Sequence, residues 1–199
     1  MTPDLILALI AFALVSSITP GPNNLMLMAS GANFGLKRTI PHMLGVSIGF
    51  VFMVVLVGAG LVQVFDAYPV SYTVLKVVSV AYLLYLAWKI GSNRKPPKGA
   101  KTGSKPMTFL QAAAFQWVNP KAWSMALTAL GVYAPPAPTF ADIVVVAVVF
   151  GLTNLPAISI WVMMGQQMSR FLNTPRRLRI FNITAGLLLV ATLYPILTS

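Results

Sequence analysis

The sequence has no cysteine, only three acidic residues and a single histidine in 199 positions. Without cysteine there can be no disulfide, no thiol redox relay and no thiolate metal site. With charged residues at 9%, it also falls far short of the quarter that a water-soluble domain devotes to them, so that class is excluded. What fills the chain is apolar: 57% of the residues are hydrophobic and the mean hydropathy is +0.80. Apolar runs this long take lipid as their solvent, and each helical crossing of a bilayer needs about 20 residues.

Hydropathy predicts an all-α polytopic membrane protein with six spans, over 4–30, 40–65, 70–90, 107–133, 142–166 and 180–197. The basic residues support the count independently, because excess Lys and Arg mark loops on the cytoplasmic side. Twelve of the fourteen fall in alternate connections: Lys37 and Arg38; Lys89, Arg94, Lys95, Lys98, Lys101 and Lys105; Arg170, Arg176, Arg177 and Arg179. All three acids, Asp4, Asp66 and Asp142, fall on the other side, so both termini are predicted outside. The net charge of +11 is thus a topology signal rather than a nucleic-acid footprint. No positively charged region precedes the first apolar run, which is therefore predicted to be retained as a span.

A Lys-, Gly- and Pro-containing stretch over 91–106 reads as a cytoplasmic linker and divides the single transmembrane domain into halves, 1–90 and 107–199. Corresponding spans carry matching interruptions: Thr19-Pro20-Gly21-Pro22-Asn23-Asn24 in span one and Val118-Asn119-Pro120-Lys121 in span four. Three spans per half invert the second copy, giving a 3+3 inverted repeat with discontinuous helices one and four. This arrangement places transporter sites near the bilayer midplane.

Proline removes an amide donor and clashes with the preceding turn, so two prolines around a glycine predict a break rather than a kink. After each break a half-helix begins with unpaired amides and a partial positive charge, and an anionic group is expected there. Lys121 sits near the midplane, where a cation costs at least about 2.5 kcal/mol, and is expected to face a substrate carboxylate or an asparagine amide oxygen. The candidate substrate-binding residues are Thr19, Pro20, Gly21, Pro22, Asn23, Asn24, Asn119, Pro120, Lys121 and Asn154, with Gln116, Ser47 and Thr153 along the same path. With no acid inside any span, a cationic substrate lacks a counter-charge, which favours a zwitterion or an anion. Only Lys121 and His42 could titrate inside the spans, and His42, beside Lys37 and Arg38, reads as interfacial. The glycines Gly31, Gly35, Gly45, Gly49, Gly58 and Gly60 read as sites of close helix approach.

These motifs, Ile18-Thr19-Pro20-Gly21-Pro22-Asn23-Asn24, Ala32-Asn33-Phe34-Gly35-Leu36-Lys37-Arg38 and Gln116-Trp117-Val118-Asn119-Pro120-Lys121, resemble the LysE/RhtB family of bacterial amino-acid exporters over essentially the whole chain. The resemblance implies an inner-membrane efflux carrier that expels amino acids or close derivatives by antiport against protons, without a cofactor. The acid-free spans point to the neutral members of that group. Export of basic amino acids or another small metabolite, and a non-transporting scaffold or channel, stay open as alternatives. One histidine and no buried acids are a poor basis for a membrane enzyme or a metal carrier. A glycine-rich helix face would serve a homodimer as readily as an internal contact.

Overall fold

Three residues that precede prolines set the architecture. Thr19, Gly21 and Asn119 are all extended, with ψ of 147°, 176° and 106°. The Cδ of a following proline disfavours the helical region for the residue before it; α3 and α8 carry Pro41 and Pro156 through that strain, whereas at these three positions the residue before the proline is extended. Each helix that reaches these positions therefore ends there, and the next starts at Pro22 or Pro120, where the missing N–H costs nothing.

The computed structural model describes residues 1–93, 105–135, 137–194 and 197. Within them the chain is helical: α1 (Pro3–Ile18), α2 (Pro22–Phe34), α3 (Leu36–Leu56), α4 (Val62–Ala67), α5 (Val70–Gly91), α6 (Phe109–Phe115), α7 (Pro120–Tyr133), α8 (Phe140–Ser169) and α9 (Pro175–Ala191). A π-helical segment, Val57–Leu61, joins α3 to α4, and a 3-10 turn, Gln116–Val118, leads from α6 towards α7. Most of the 91–106 linker lies outside the described residues.

By length and composition, α3 with α4, α5 and α8 are each sufficient to cross a membrane, and α1 and α2 qualify together as one span bent by 54°. The fourth span is discontinuous, as expected from its Asn119–Pro120 motif, and the sixth takes a different form. The region 107–133 is divided by the Asn119–Pro120 break into α6 and α7, neither long enough alone. The last helix starts at Pro175, five residues earlier than predicted, because Thr174 accepts a hydrogen bond from Arg177 N. It has 17 residues, with Arg176, Arg177 and Arg179 near its start.

Small residues bring the helices together, as expected where lipid removes the hydrophobic drive for helix association. A Cβ on Gly31 of α2 would collide with the Val162 carbonyl of α8, and one on Gly165 of α8 with the Met28 carbonyl of α2. Gly45 and Gly49 do the same for α3 against α6, where a Cβ would lie 2.8 Å from Ala112 Cβ and 2.6 Å from Ala113 Cα. Gly35 serves another purpose: its φ of +77° lets one residue end α2 and begin α3. Above the breaks, Leu9, Phe50, Trp123 and Phe150 anchor an apolar core shared by α1, α3, α7 and α8, with Phe50 and Phe150 edge-to-face at 5.1 Å. Four helices are thereby fixed around the two breaks.

Candidate functional site

Where α1 ends, a run of carbonyls has no helical partner, and inside a membrane each one left unpaired would cost several kcal/mol. All are satisfied. Val15 O accepts from Thr19 N and Ser16 O from Thr19 Oγ1. Asn24 Nδ2 donates to Ser17 O at 2.8 Å and to Thr19 O at 2.7 Å. Trp161 Nε1, from α8, donates to Ile18 O at 3.0 Å. The Lys121 ammonium, from α7, donates to Thr19 O at 2.7 Å, to Thr19 Oγ1 at 2.9 Å and to Pro20 O at 3.3 Å.

Lys121 thus spends its three donors on the first break. The sequence predicts that it meets a substrate carboxylate or an asparagine amide oxygen. Its four-carbon stem instead carries the charge across to the C-terminal end of α1, where the dipole favours a cation. Gly21 makes the passage possible: a Cβ there would stand 2.6 Å from Lys121 Cδ.

The second break satisfies itself. Asn119 Oδ1 accepts from Lys121 N at 3.2 Å, and Asn119 O accepts from Ala122 N and Trp123 N. The expectation of two open half-helix N-termini is therefore corrected for α7, whose amides are capped by the residue before its proline. At α2 the cap position is Gly21, which has no side chain to offer, and the amides of Asn23 and Asn24 have no partner among the described residues. The two breaks are tied by a reciprocal amide pair: Asn23 Nδ2 donates to Gln116 Oε1 at 2.8 Å, and Gln116 Nε2 donates to Asn23 Oδ1 at 3.3 Å and to Ala112 O at 2.8 Å.

A cavity of about 340 Å³, counting its open mouth, lies between the breaks. Gly21, Asn23, Asn24, Asn119, Lys121 and Asn154 line it, so six of the ten predicted residues are brought together. Thr19 holds Lys121 instead, and Pro20, Pro22 and Pro120 border a wide groove of about 1700 Å³ on the other side, lined also by Trp161 and Leu188. Gly21 and Lys121 border both spaces and form the partition between them.

Two polar atoms in the cavity wall are buried without a hydrogen-bond partner, Asn154 Oδ1 and Ser17 Oγ. Each orphaned group of this kind costs about 1–3 kcal/mol unless something else bonds it. Ser17 was not singled out in the sequence; its only signal was its place three residues before Pro20. Ser47 makes a long contact, 3.5 Å, to Gly151 O, and Thr153 bonds back to Val149 O within α8. His42, expected at an interface, is 1% exposed, because the face of α3 that carries it also carries Val46 into the bundle. Among the described residues no three His, Asp or Glu side chains are grouped to hold a metal ion.

The family model of the LysE type translocators matches residues 14–192. The chain belongs to the LysE-type translocator family. It is a transporter, not an enzyme. Relatives of this translocator include the cysteine/O-acetylserine efflux proteins of Escherichia coli strain UTI89 and of Shigella sonnei, each 32% identical over 195 residues that cover 96% of both chains. The corresponding protein of another Escherichia coli strain is 31% identical over the same length. No solved structure matches the chain.

Proposed function

We propose that this translocator exports neutral amino acids or close derivatives across the bacterial cytoplasmic membrane by alternating access, driven by the proton gradient. The observation that carries the proposal is the pairing, in one cavity wall, of an uncapped helix N-terminus with buried acceptors that have no partner. The carboxylate of a zwitterion is bound by the amides of Asn23 and Asn24 at the positive end of α2. Its ammonium is bound by Asn154 Oδ1 and Ser17 Oγ. The cavity wall holds no acidic side chain, so a net positive solute is not compensated. Lys121 is the ionisable group at the partition, and we assign the proton coupling to it.

In this reading the six spans form a 3+3 inverted repeat, 1–90 and 107–199 joined by the 91–106 linker, with both termini outside. The pairing of helices supports it. Span one packs on α8 through α1 and α2, as α6 of span four packs on α3; α3 lies against α8, and α5 against α9. Each contact has a counterpart after exchange of the halves. Opening the cavity requires the Asn23–Gln116 pair to part, and closing the other side requires Lys121 to stay on Thr19 and Pro20.

The test is counterflow in proteoliposomes preloaded with unlabelled solute. Labelled O-acetylserine, cysteine or leucine is expected to accumulate, and labelled lysine or arginine is not. Accumulation of lysine or arginine alone would overturn the neutral-solute reading, and accumulation of none of them would overturn transport of amino acids.

A further inference from the structure

We infer that the translocator has a second carboxylate-binding solute site, one helical turn from the break cavity towards the lysine-rich end of the bundle. The inference rests on the reading of the chain as an amino-acid exporter. The site is a separate pocket of about 510 Å³, counting its mouth, between α2, α3, the end of α5 and the segment before α6. Its walls continue the faces that line the first cavity. Met26 follows Asn23 by three residues on α2, and His42 precedes Val46 by four on α3, so the two spaces are stacked about 5 Å apart along the same helix pair.

His42 is the feature that demands an explanation. It is buried to 1% exposure, and neither Nδ1 nor Nε2 has a hydrogen-bond partner. Its polar neighbours are already committed. Asn33 gives its amide hydrogens to Ala29 O and Asn182 Oδ1, and its Oδ1 accepts from Asn93 and Asn182. Ser30 is bonded to Thr39. None of the wall residues bonds the imidazole, which can offer one donor and one acceptor to a ligand.

The same pocket is lined by Lys89 and Lys105, from different segments of the chain. Both are exposed and neither forms an ion pair among the described residues, the Lys89 ammonium lying over the Tyr85 ring at 6.0 Å, and the chain has only three acids. Asp142 is engaged by the N-terminal ammonium and Thr139, Asp66 by Tyr72, and Asp4 lies in the first turn of α1. Two lysines without a carboxylate, an apolar wall from Met26, Leu86, Ile90 and Met107, and one unpartnered imidazole define the ligand. It is a small carboxylate with an apolar portion and an inner polar group that bonds the imidazole. A neutral amino acid or its derivative supplies these when its carboxylate lies towards the lysines and its ammonium donates to the unprotonated nitrogen of His42. A lipid phosphate would satisfy the lysines but would leave His42 facing an acyl chain.

The test uses the full chain, nitrogen-15 labelled and purified without a polyhistidine tag, so that His42 is the single labelled imidazole in the sample. With O-acetyl-L-serine as probe in phosphatidylcholine nanodiscs, equilibrium dialysis is expected to find a second bound equivalent that Lys89→Gln/Lys105→Gln removes. The His42 imidazole nitrogen resonances are expected to shift on addition of the probe to wild type and to Lys121→Met, and to stay fixed in the double lysine variant. A single equivalent that the lysine variant keeps, with unmoved His42 signals and intact counterflow, would overturn this inference and leave the export reading standing. Absence of both binding and counterflow would remove both readings. A second equivalent that vanishes when phosphatidylglycerol replaces phosphatidylcholine would give the pocket to a lipid headgroup and overturn the inference.

Discussion

At the first break, carbonyls from Val15 to Pro20 need donors, and two of the side chains that supply them lie 102 and 143 residues away, Lys121 and Trp161. At the second break almost every partner is local. Gln116 N bonds to Ala113 and Ala114, Gln116 Nε2 to Ala112 O, Asn119 N to Gln116 O, and Trp123 Nε1 to Trp117 O. In both breaks the residue before a proline is extended, but one is completed almost wholly by its own sequence, while the other adds to its local donors, Thr19 and Asn24, two side chains from the far half of the chain. A self-capped break is a structural joint. A break held by remote donors, with its own helix N-terminus left open, can respond when those donors move.

This contrast can be broken experimentally, starting where the effect should be largest. Asn24→Ala removes the donor from Ser17 O, an orphaned carbonyl costing about 1–3 kcal/mol, and one of the two on Thr19 O, which keeps Lys121. A marked fall in melting temperature in detergent, with loss of counterflow, is expected. The corresponding change at the other break, Asn119→Ala, removes one helix cap and should cost about 1 kcal/mol. Equal damage from the two substitutions would erase the distinction between the breaks.

Next in size is Lys121→Met, which keeps most of the stem and removes the ammonium. Counterflow should fall at least about tenfold, equivalent to about 1.4 kcal/mol. Gly21→Ala should reproduce it, because the added Cβ would lie 2.6 Å from Lys121 Cδ and displace the side chain. Normal transport by Gly21→Ala, alongside a dead Lys121→Met, would show that the ammonium does not need its place on Thr19 and Pro20.

A smaller effect is expected for the link between the breaks. A double-mutant cycle of Asn23→Ala and Gln116→Ala should give a coupling of about 0.5–1.5 kcal/mol in detergent stability, the net worth of a hydrogen-bonded pair. A coupling near zero would mean that the two breaks are held independently. The smallest change belongs to Asn119→Ser, since serine caps about as well as asparagine; stability should move by no more than a few tenths of a kcal/mol. A large loss with serine would assign Asn119 a role beyond its cap.

Much of this was legible in the sequence. Thr19, Gly21 and Asn119 precede prolines, and the clash confined to adjacent residues marked these as places for helices to stop, although Pro41 and Pro156 are carried inside α3 and α8. The small residues Gly31, Gly45 and Gly49 marked close helix approaches correctly, since only a residue without a Cβ lets backbones come that near. The start of α9 was misplaced although its Thr174-Pro175 signal is present, because the hydropathy of the arginine-rich turn masks the cap. The last helix also fell short of the 18 residues expected for it, whereas the division of the fourth segment at Asn119–Pro120 was legible in its motif.

The amino-acid sequence by itself determined that the chain is apolar, helical and interrupted at two proline sites, with Lys121 and a run of asparagines beside them. These properties follow from transfer free energies and backbone sterics that act within a few residues. Only the tertiary structure decided that Lys121 serves the opposite break, that Trp161 closes Ile18, that the N-terminus of α2 is open while that of α7 is capped, and that His42 is buried without a partner. Each of these depends on which helices lie side by side, and that is settled by many weak contacts summed over the whole bundle rather than by any local rule.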